Sequence, residues 1–298
     1  MNVVKANYAL ISSYTVTFDL FTPILKGSEL KITRSAVLYG YEQTACHPGH
    51  CGSSQNPQTK MDTSTQAQLY LSDQRGCSQT DFFRSYHVFN FGSYVAEARN
   101  PFGTLRVLND NTLAAGHGIT MQVEQHTDVL ILPLLGGLEY ESTRGNGFLE
   151  TGQAQLFSLR SGMDYGINNP YETESINYLE IWFTNSLPAF TPGIDQTHFD
   201  LTVANKLLPL FSISHTGSVS PQPGQSFIGR YAGRAEDRYH LKEPRNGVFV
   251  FVLRGVFEVQ NRLLHQRDGL SLTNIQSGAV DFEALSNDAV LLLLDVLQ

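Results

Sequence analysis

Short apolar segments, each ended by glycine, asparagine, aspartate or proline, recur through the chain beyond residue 61. A spacing of about 8–12 residues between such segments is typical of β-sandwiches and β-barrels, where strands are short and turns frequent. The clearest segments are VLILPLL (129–135), AQLFSL (154–159), INYLEIWF (176–183), GVFVFVL (247–253) and AVLLLLDVL (289–297). Helical periodicity is scarce. The best candidate for a helix, residues 202–211, contains Pro209, which would interrupt it. The pattern predicts an all-β fold.

Composition agrees with a β-rich globular protein and argues against a nucleic-acid partner. Aromatic residues make up 11% of the chain and charged residues only 16%, against about 25% in typical soluble domains. Acidic residues outnumber basic ones by 28 to 20, which gives a net charge of −8. Because contact with phosphates needs clustered lysine and arginine, we expect no direct binding to nucleic acid.

Cysteine usage and the length of the apolar runs bear on the compartment. The 298 residues include only three cysteines, too few for a disulfide framework, which favours a reducing environment. No apolar run approaches the roughly 20 residues that a membrane helix needs, and residues 1–21 make a weak signal peptide. We therefore expect a cytoplasmic monomer with no membrane partner.

An internal repeat indicates that the fold contains two similar units. Gly136 and Glu139 follow one apolar segment, and Gly255 and Glu258 follow another at an offset of 119 residues. A second glycine follows each pair, at positions 152 and 269, an offset of 117 residues. Matched hairpins of this kind are expected from a protein made of two similar β-barrels.

The first 60 residues differ in composition from the part that contains the repeat. Residues 43–68 are rich in Ser, Thr, Gln, Asn, Gly and Pro, which is typical of a linker or a disordered segment. Met61 would be a natural start for a compact protein, so what precedes it is either an appendage or an over-extended gene product. We predict a flexible N-terminal extension (1–65), an N-terminal barrel (66–190) and a C-terminal barrel (191–298).

Two motifs near the start of the first barrel are specific. SYHVFNFGSY (85–94) has the pattern S-Y-H-x-F-x-F-x-x-Y, and FGTLRVLND (102–110) has the pattern F-G-x-L-R-V-L-N-[ED]. Both patterns are those of the pirin-like bicupins, the family of pirin and the bacterial quercetin 2,3-dioxygenases, which the chain resembles over residues 70–298. The resemblance implies two tandem cupin barrels of the jelly-roll type, in agreement with the repeat.

The resemblance also implies where a metal would be held. Family members with a metal use H-x-H near the start of the first barrel and H-x-E further along. In the register of the family, the first pair falls on Gln122 and Glu124, and the second on Tyr165 and Ile167. These residues offer no imidazole and one carboxylate, whereas a metal that reacts with oxygen is usually held by both. We therefore predict a degenerate metal site, with no cofactor and no catalytic residue.

Two other metal sites remain open as alternatives. Glu124 and His126 would share one face if their strand continued that far, and could then hold Fe, Ni, Cu or Mn. A turn before segment 129–135 is the simpler interpretation of His126. Cys46–Cys51 (CHPGHC) is rich in thiol and imidazole ligands, but no second half-site follows, which favours adventitious metal affinity.

The residues support two functions of different classes. A cupin barrel encloses a cavity for one small ligand, and Gln122, Glu124 and Tyr165 would make its mouth polar. The preferred function is therefore a small-molecule-binding, stress-related or regulatory protein without dioxygenase activity, whose protein partner, if it has one, stays unidentified. The alternative is a quercetin 2,3-dioxygenase-type oxidoreductase that uses a remodelled site with Glu124 and His126.

Removal of the first 60 residues tests the predicted extension. A segment of this composition buries little apolar surface, so a protein that starts at Met61 should melt within about 5 °C of the full chain. Calorimetric melts of the two proteins measure the difference. A larger drop in Tm would show that the extension is docked on the barrels.

Overall fold

The computed structural model describes residues 64–185, 191–212 and 224–298, together with the two-residue strand Val16–Thr17. Within these residues the regular structure is almost entirely β. Helix is confined there to two single 3-10 turns, Ser72–Gln74 and Glu97–Arg99. No helix of the described part is long and apolar enough to cross a membrane. The prediction of an all-β fold is confirmed.

The described strands are numbered in chain order. Strands β1 to β13 are Val16–Thr17, Gln66–Tyr70, Gly76–Gln79, Phe83–His87, Leu105–Leu113, Gly118–Gln122, Thr127–Leu135, Leu138–Ser142, Gly145–Leu149, Gln153–Leu159, Asp164–Asn168, Ile176–Thr184 and Gly193–His198. Strands β14 to β22 are Leu208–Ser212, Gln225–Tyr231, Glu236–His240, Gly247–Arg254, Phe257–Val259, Arg262–Leu264, Gly269–Thr273, Ala279–Ala284 and Ala289–Val296.

These strands form two barrels of the same topology, one in each half of the chain. In the first barrel a five-stranded sheet (β1-β6-β11-β8-β9) faces a seven-stranded sheet (β13-β10-β7-β12-β5-β4-β3). In the second barrel a four-stranded sheet (β16-β21-β18-β19) faces a six-stranded sheet (β14-β15-β22-β17-β20-β2). The order β6-β11-β8-β9 corresponds strand for strand to β16-β21-β18-β19. The tandem barrels predicted from the repeat are confirmed.

Of the two glycine pairs that revealed the repeat, Gly136 and Gly255 occupy equivalent turns, whereas Gly152 precedes β10 and Gly269 is the first residue of β20. Gly136 (φ 75°) lies between β7 and β8, and Gly255 (φ 81°) lies between β17 and β18. Both conformations are left-handed, a region that glycine enters without steric cost. A Cβ atom at position 136 would also approach Ile176 Cγ2 to 2.9 Å. This turn therefore requires glycine both for its backbone and for its space.

One strand from each half of the chain joins the sheet of the other half. β2, which the sequence assigned to the first barrel, pairs with β20 of the second, with Gln66 opposite Thr273. β13, which the sequence assigned to the second barrel, pairs with β10 of the first, with His198 opposite Gln153. The boundaries predicted after residues 65 and 190 need this correction, because apolar alternation identifies strands but not their partners.

The predicted N-terminal extension is described only at Val16–Thr17 and from residue 64 onward. Val16 pairs with Met121 and Thr17 with Thr120, so this short strand lies at the edge of the five-stranded sheet. The other residues of the extension lie outside the described part of the chain. Its flexibility stays a prediction.

Three apolar clusters form the core. One lies between the seven-stranded and six-stranded sheets, where residues such as Leu132 and Leu292 pack the two halves together. A second fills the first barrel around Phe157, and a third fills the second barrel around Val250 and Phe257. Both long sheets are therefore covered on two faces, which explains their nearly continuous apolar runs.

A buried cluster of charges joins the two halves. Asp110 on β5 is 6% exposed, and its Oδ2 lies 3.2 Å from Arg75 Nη1 and 3.0 Å from Arg267 Nε. Its Oδ1 accepts a hydrogen bond from Asn177 at 2.8 Å. Because Arg267 stands just before β20, this carboxylate ties the second barrel to the first.

Asp110→Asn should destabilise the protein, because it leaves two guanidinium groups in a largely buried place without their carboxylate. Breaking a buried ion pair costs about 3–5 kcal/mol, and chemical denaturation should show a loss of that size. Asp281→Asn is the matched control, since Asp281 pairs with Arg238 at the surface, where ion pairs contribute little. Equal losses in the two variants would contradict the role given to Asp110.

Candidate functional site

Two of the four positions matched to metal ligands lie inside the first barrel. Tyr165 and Ile167 are on β11, which pairs with β6 so that Tyr165 lies opposite Met121 and Ile167 opposite Ile119. All four side chains are at most 2% exposed and belong to the apolar cluster of this barrel. Tyr165 and Ile167 therefore fill the interior and do not line an open mouth.

The other two positions, Gln122 and Glu124, are exposed. Side chains alternate along β6, and because Ile119 and Met121 point inward, Gln122 lies on the outer face. Its Nε2 donates a hydrogen bond to the backbone oxygen of Gly162 at 3.1 Å. β6 ends at Gln122, so Glu124 lies in the bend that follows. The four positions do not converge on one pocket.

The alternative site, Glu124 and His126, lies in the same bend, before β7 begins. Ser161 contacts both residues: its backbone N donates to His126 Nδ1 at 3.3 Å, and its Oγ donates to the backbone oxygen of Glu124 at 2.6 Å. Across the described ranges, no group of three or more His, Cys, Asp or Glu side chains is placed to hold a metal ion. Cys46–Cys51 lies outside those ranges.

A fully buried carboxylate, Glu180 on β12, lies inside the first barrel. It accepts hydrogen bonds from the Tyr165 hydroxyl and from Nδ2 of Asn109 and Asn111, the last two at 3.3 and 3.1 Å. Trp182 Nε1 in turn donates to the Tyr165 hydroxyl oxygen at 3.0 Å. Donors from β5 and β11 thus converge on one carboxylate of β12.

The network continues through His87 on β4 toward the edge of the sheet. Because Asn109 Nδ2 donates to Glu180, Asn109 Oδ1 is the acceptor for His87 Nδ1, which lies 2.8 Å away. His87 Nε2 then carries no proton and accepts from Ser78 Oγ at 2.8 Å. Burial lowers the pKa of His87, in agreement with a neutral ring. This histidine ties β3 to the barrel.

Burial controls the protonation of the Tyr165–Glu180 pair. Desolvation raises the pKa of Glu180, whereas hydrogen bonds from Tyr165, Asn111 and Asn109 act in the opposite direction. Desolvation and the neighbouring charge of Glu180 raise the pKa of Tyr165 well above its ordinary value. The phenol therefore keeps its proton and donates it in a hydrogen bond. A protonated phenol is a poor ligand for a first-row metal.

Sequence reasoning did not single out Glu180, Asn109 or Asn111. One signal was present, since Glu180 is the only charged residue of the apolar segment 176–183. A lone carboxylate in a strand that is buried on both faces needs partners inside the protein. Asn109 and Asn111 stand two residues apart on β5, which places both amides on one face of the sheet.

The second barrel shows that the fold does not require this network. Glu180 and Leu293 hold equivalent places, because their partners across the sheet, Ile131 and Val250, lie 119 residues apart, the offset of the repeat. Leu293 is fully buried among apolar side chains. The carboxylate is therefore a property of the first barrel and not of the topology.

Tyr165→Phe should lower the free energy of unfolding by about 1–3 kcal/mol, because it removes a donor from a buried carboxylate. Urea denaturation measures the loss. Tyr178→Phe is the matched control: Tyr178 is buried in the same barrel, yet its hydroxyl is not among the described donors to Glu180. Loss of the Tyr178 hydroxyl should lower the free energy of unfolding by less than loss of the Tyr165 hydroxyl. Equal effects of the two substitutions would contradict the importance given to the Tyr165 hydroxyl.

Curated proteins similar to this chain are named for quercetin dioxygenase or for pirin. Residues 225–296 match a family model described as the quercetinase C-terminal cupin domain. Quercetin 2,3-dioxygenase of Escherichia coli K12 is 26% identical over 227 residues, which cover 75% of this chain and 97% of the relative. Pirin-like protein YhaK of the same strain is 29% identical over 111 residues, 36% of this chain and 48% of YhaK.

Solved structures agree with these relatives in fold. The crystal structure of YhhW from Escherichia coli has a TM-score of 0.69 at 23% identity and covers 78% of this chain and 97% of YhhW. A nickel(II) complex of the same bacterial pirin has a TM-score of 0.67 at 21% identity and covers 78% and 99%. The motifs of residues 85–94 and 102–110, the matched C-terminal cupin and the tandem barrels together support the similarity of this chain to the pirin-like bicupin family.

Proposed function

We propose that this chain is a small-molecule-binding, stress-related or regulatory pirin-like protein without dioxygenase activity. The observation that carries the proposal is the hydrogen bond between Tyr165 and Glu180 inside the first barrel. Tyr165 stands where the resemblance puts a metal-binding imidazole, and its hydroxyl is used as a donor to the protein. In this barrel the Glu180 carboxylate, with hydrogen-bond donors from Tyr165, Asn109 and Asn111, would stand in place of a metal ion and its ligands.

The residues of the first barrel do not fit a metal of the kind held by the nickel(II) complex of the relative. Ile167 has no donor atom, and Tyr165 keeps its proton. Gln122 and Glu124 are exposed on the outside. His87 is the imidazole nearest in the network, and both of its ring nitrogens make hydrogen bonds. A first-row metal needs imidazole or carboxylate groups directed at one point.

A cation that entered this interior would have to displace hydrogen bonds that are already made. Glu180 is occupied by three donors, and two of them are the amides of Asn109 and Asn111. If the carboxylate turned to a metal, each amide would be left buried without its acceptor, at a cost of about 1–3 kcal/mol. The free energy lost when these hydrogen bonds break therefore opposes metal binding at Glu180.

Small-molecule binding does not need the barrel interior. A surface cleft of about 830 Å³ lies outside the first-barrel network. Sites for small molecules typically measure about 300–1,000 Å³, so this cleft is of comparable volume, and it is wide open to solvent. Binding there would leave the Tyr165–Glu180 pair undisturbed, which supports a function that is independent of metal chemistry.

A dioxygenase with a remodelled site is the second candidate, and the names of the relatives favour it. In that case Glu124 and His126 would hold Fe, Ni, Cu or Mn in the bend before β7. Two protein side chains are fewer than the three or more that oxygen-activating metals usually receive from the protein. The remaining positions would fall to solvent or substrate, so the metal would be weakly held.

Metal content separates the two functions. We expect the full chain, produced with iron, nickel, copper and manganese in the medium and then dialysed, to hold less than about 0.1 metal atoms per molecule, because no ligand set converges among the residues that the structure describes. Elemental mass spectrometry gives the metal content. Oxygen consumption in the presence of quercetin gives the activity, and we expect none above the level without protein.

Matched variants make this result specific. Cys46→Ser with Cys51→Ser removes the thiols of the N-terminal motif, so metal that disappears in this variant belongs to that motif and not to the barrel. Near-stoichiometric metal that is lost in Glu124→Ala or His126→Ala, together with oxygen-dependent consumption of quercetin, would overturn the proposal and establish the enzyme.

A further inference from the structure

The surface cleft lies where the first barrel meets the second. Its walls are the turn before β10 (151–153), the end of β13 with the residues that follow (198–202), and Arg230 on β15. Both halves of the chain therefore contribute to it. None of these residues belongs to the buried network of the first barrel.

The repeat explains why this junction is open. Gly152 and Arg267 hold equivalent places in the two barrels. Gly152 lies three residues before Gln155, the residue of β10 that pairs with Ile131. Arg267 lies three residues before Leu270, the residue of β20 that pairs with Val250. Both have a positive φ, 89° and 70°. Arg267 extends across its junction to Asp110 at 3.0 Å, whereas Gly152 has no side chain. An arginine that fills one junction is thus missing from the other.

Arg230 holds one wall of the cleft in place. Its Nε donates to the backbone oxygen of Leu201, and its Nη2 donates to that of Thr202 at 2.9 Å. Its Nη1 pairs with Asp288 at 2.6 Å. The guanidinium is therefore positioned and neutralised by the protein, and it is not available to an anionic ligand.

Phe199 and Leu201 give the cleft an apolar surface. Both are partly buried and pack against the apolar cluster between the two long sheets. Their backbone is also tied down, since the amide N of Phe199 donates to the oxygen of Gly152 at 2.8 Å. A ring or short chain placed against them would be removed from water on a surface that is already ordered.

His198 supplies a hydrogen-bond donor at the rim. Gln153 Oε1 accepts from the backbone N of Glu150 at 3.0 Å and from Gln196 Nε2 at 3.1 Å. Gln153 Nε2 is therefore the atom that donates to His198 Nε2, 3.1 Å away. The proton of the neutral ring is then on Nδ1, which can donate to a carbonyl or hydroxyl oxygen of a ligand.

Asp200 supplies an acceptor on the same wall. Its Oδ1 accepts from the backbone N of Thr202 at 2.8 Å, and hydrogen bonds from Thr202 lower the pKa of this carboxyl. Its Oδ2 can accept from a ligand hydroxyl. The carboxylate also repels an anion at this place.

We propose that this cleft binds a small uncharged molecule with an apolar ring and with both hydroxyl and carbonyl groups. The ring would lie against Phe199 and Leu201, a carbonyl would accept from His198, and a hydroxyl would donate to Asp200. The inference rests on the small-molecule-binding function proposed above, and it adds the site and the class of ligand.

Quercetin is a suitable probe, because it has an aromatic body with hydroxyl and carbonyl groups and is the compound named in the relatives. Titration calorimetry on the full chain, at pH 7 and without oxygen, gives the Kd. Thr151→Trp puts an indole on the cleft wall and should weaken binding at least about tenfold by filling the space. Thr143→Trp, in the exposed turn between β8 and β9, should bind as the unmodified chain does.

His198→Leu provides a second route if Thr151→Trp does not fold. It removes the Nδ1 donor from an exposed position and should weaken binding about fivefold with an unchanged Tm. Equal Kd values in the unmodified chain and in both cleft variants would overturn the cleft as the site, as would equal weakening by Thr143→Trp. Failure of the unmodified chain to bind quercetin would overturn the ligand class. Neither result changes the metal test, which judges the proposed function separately.

Discussion

A carboxylate that has no contact with water must receive all its hydrogen bonds from the protein, and Glu180 is in that position. This requirement for donors explains the amides at positions 109 and 111 and the hydroxyl at position 165. Asn109 extends the hydrogen-bond network to His87. Each of these side chains is oriented by its neighbour. The carboxylate of Glu180 is thus satisfied by side chains of the protein, which makes this network a structural element of the first barrel.

The internal repeat made the two-barrel fold predictable from the sequence. The pairing partners of individual strands could not be predicted. Gly136 and Gly255 mark equivalent left-handed turns, and their offset correctly predicted two barrels. β2 and β13 have no such marker. A strand with alternating apolar and polar side chains can pair with any sheet edge that has a matching apolar face. The local sequence pattern therefore could not show that β2 and β13 each pair with a sheet of the other half.

The candidate site was less predictable, because register within a strand decides which face a side chain joins. Counting along the family motif selected Gln122, but the inward residues of β6 are Ile119 and Met121, and a step of one residue moves a side chain through the sheet. On β11 the same count selected Tyr165, which is inside. What it does there depends on Glu180, 15 residues away, and no local pattern connects the two.

The crossing of β2 to β20 and of β13 to β10 means that neither half is a separable domain. A fragment that ended before residue 190 would lack the strand that covers β10 and would carry one that belongs to a sheet it does not contain. Its open edge would pair with the matching strand of any available copy. The single chain is therefore organised like a domain-swapped dimer whose two subunits have been joined by a linker, and its halves can complete one another only as a pair.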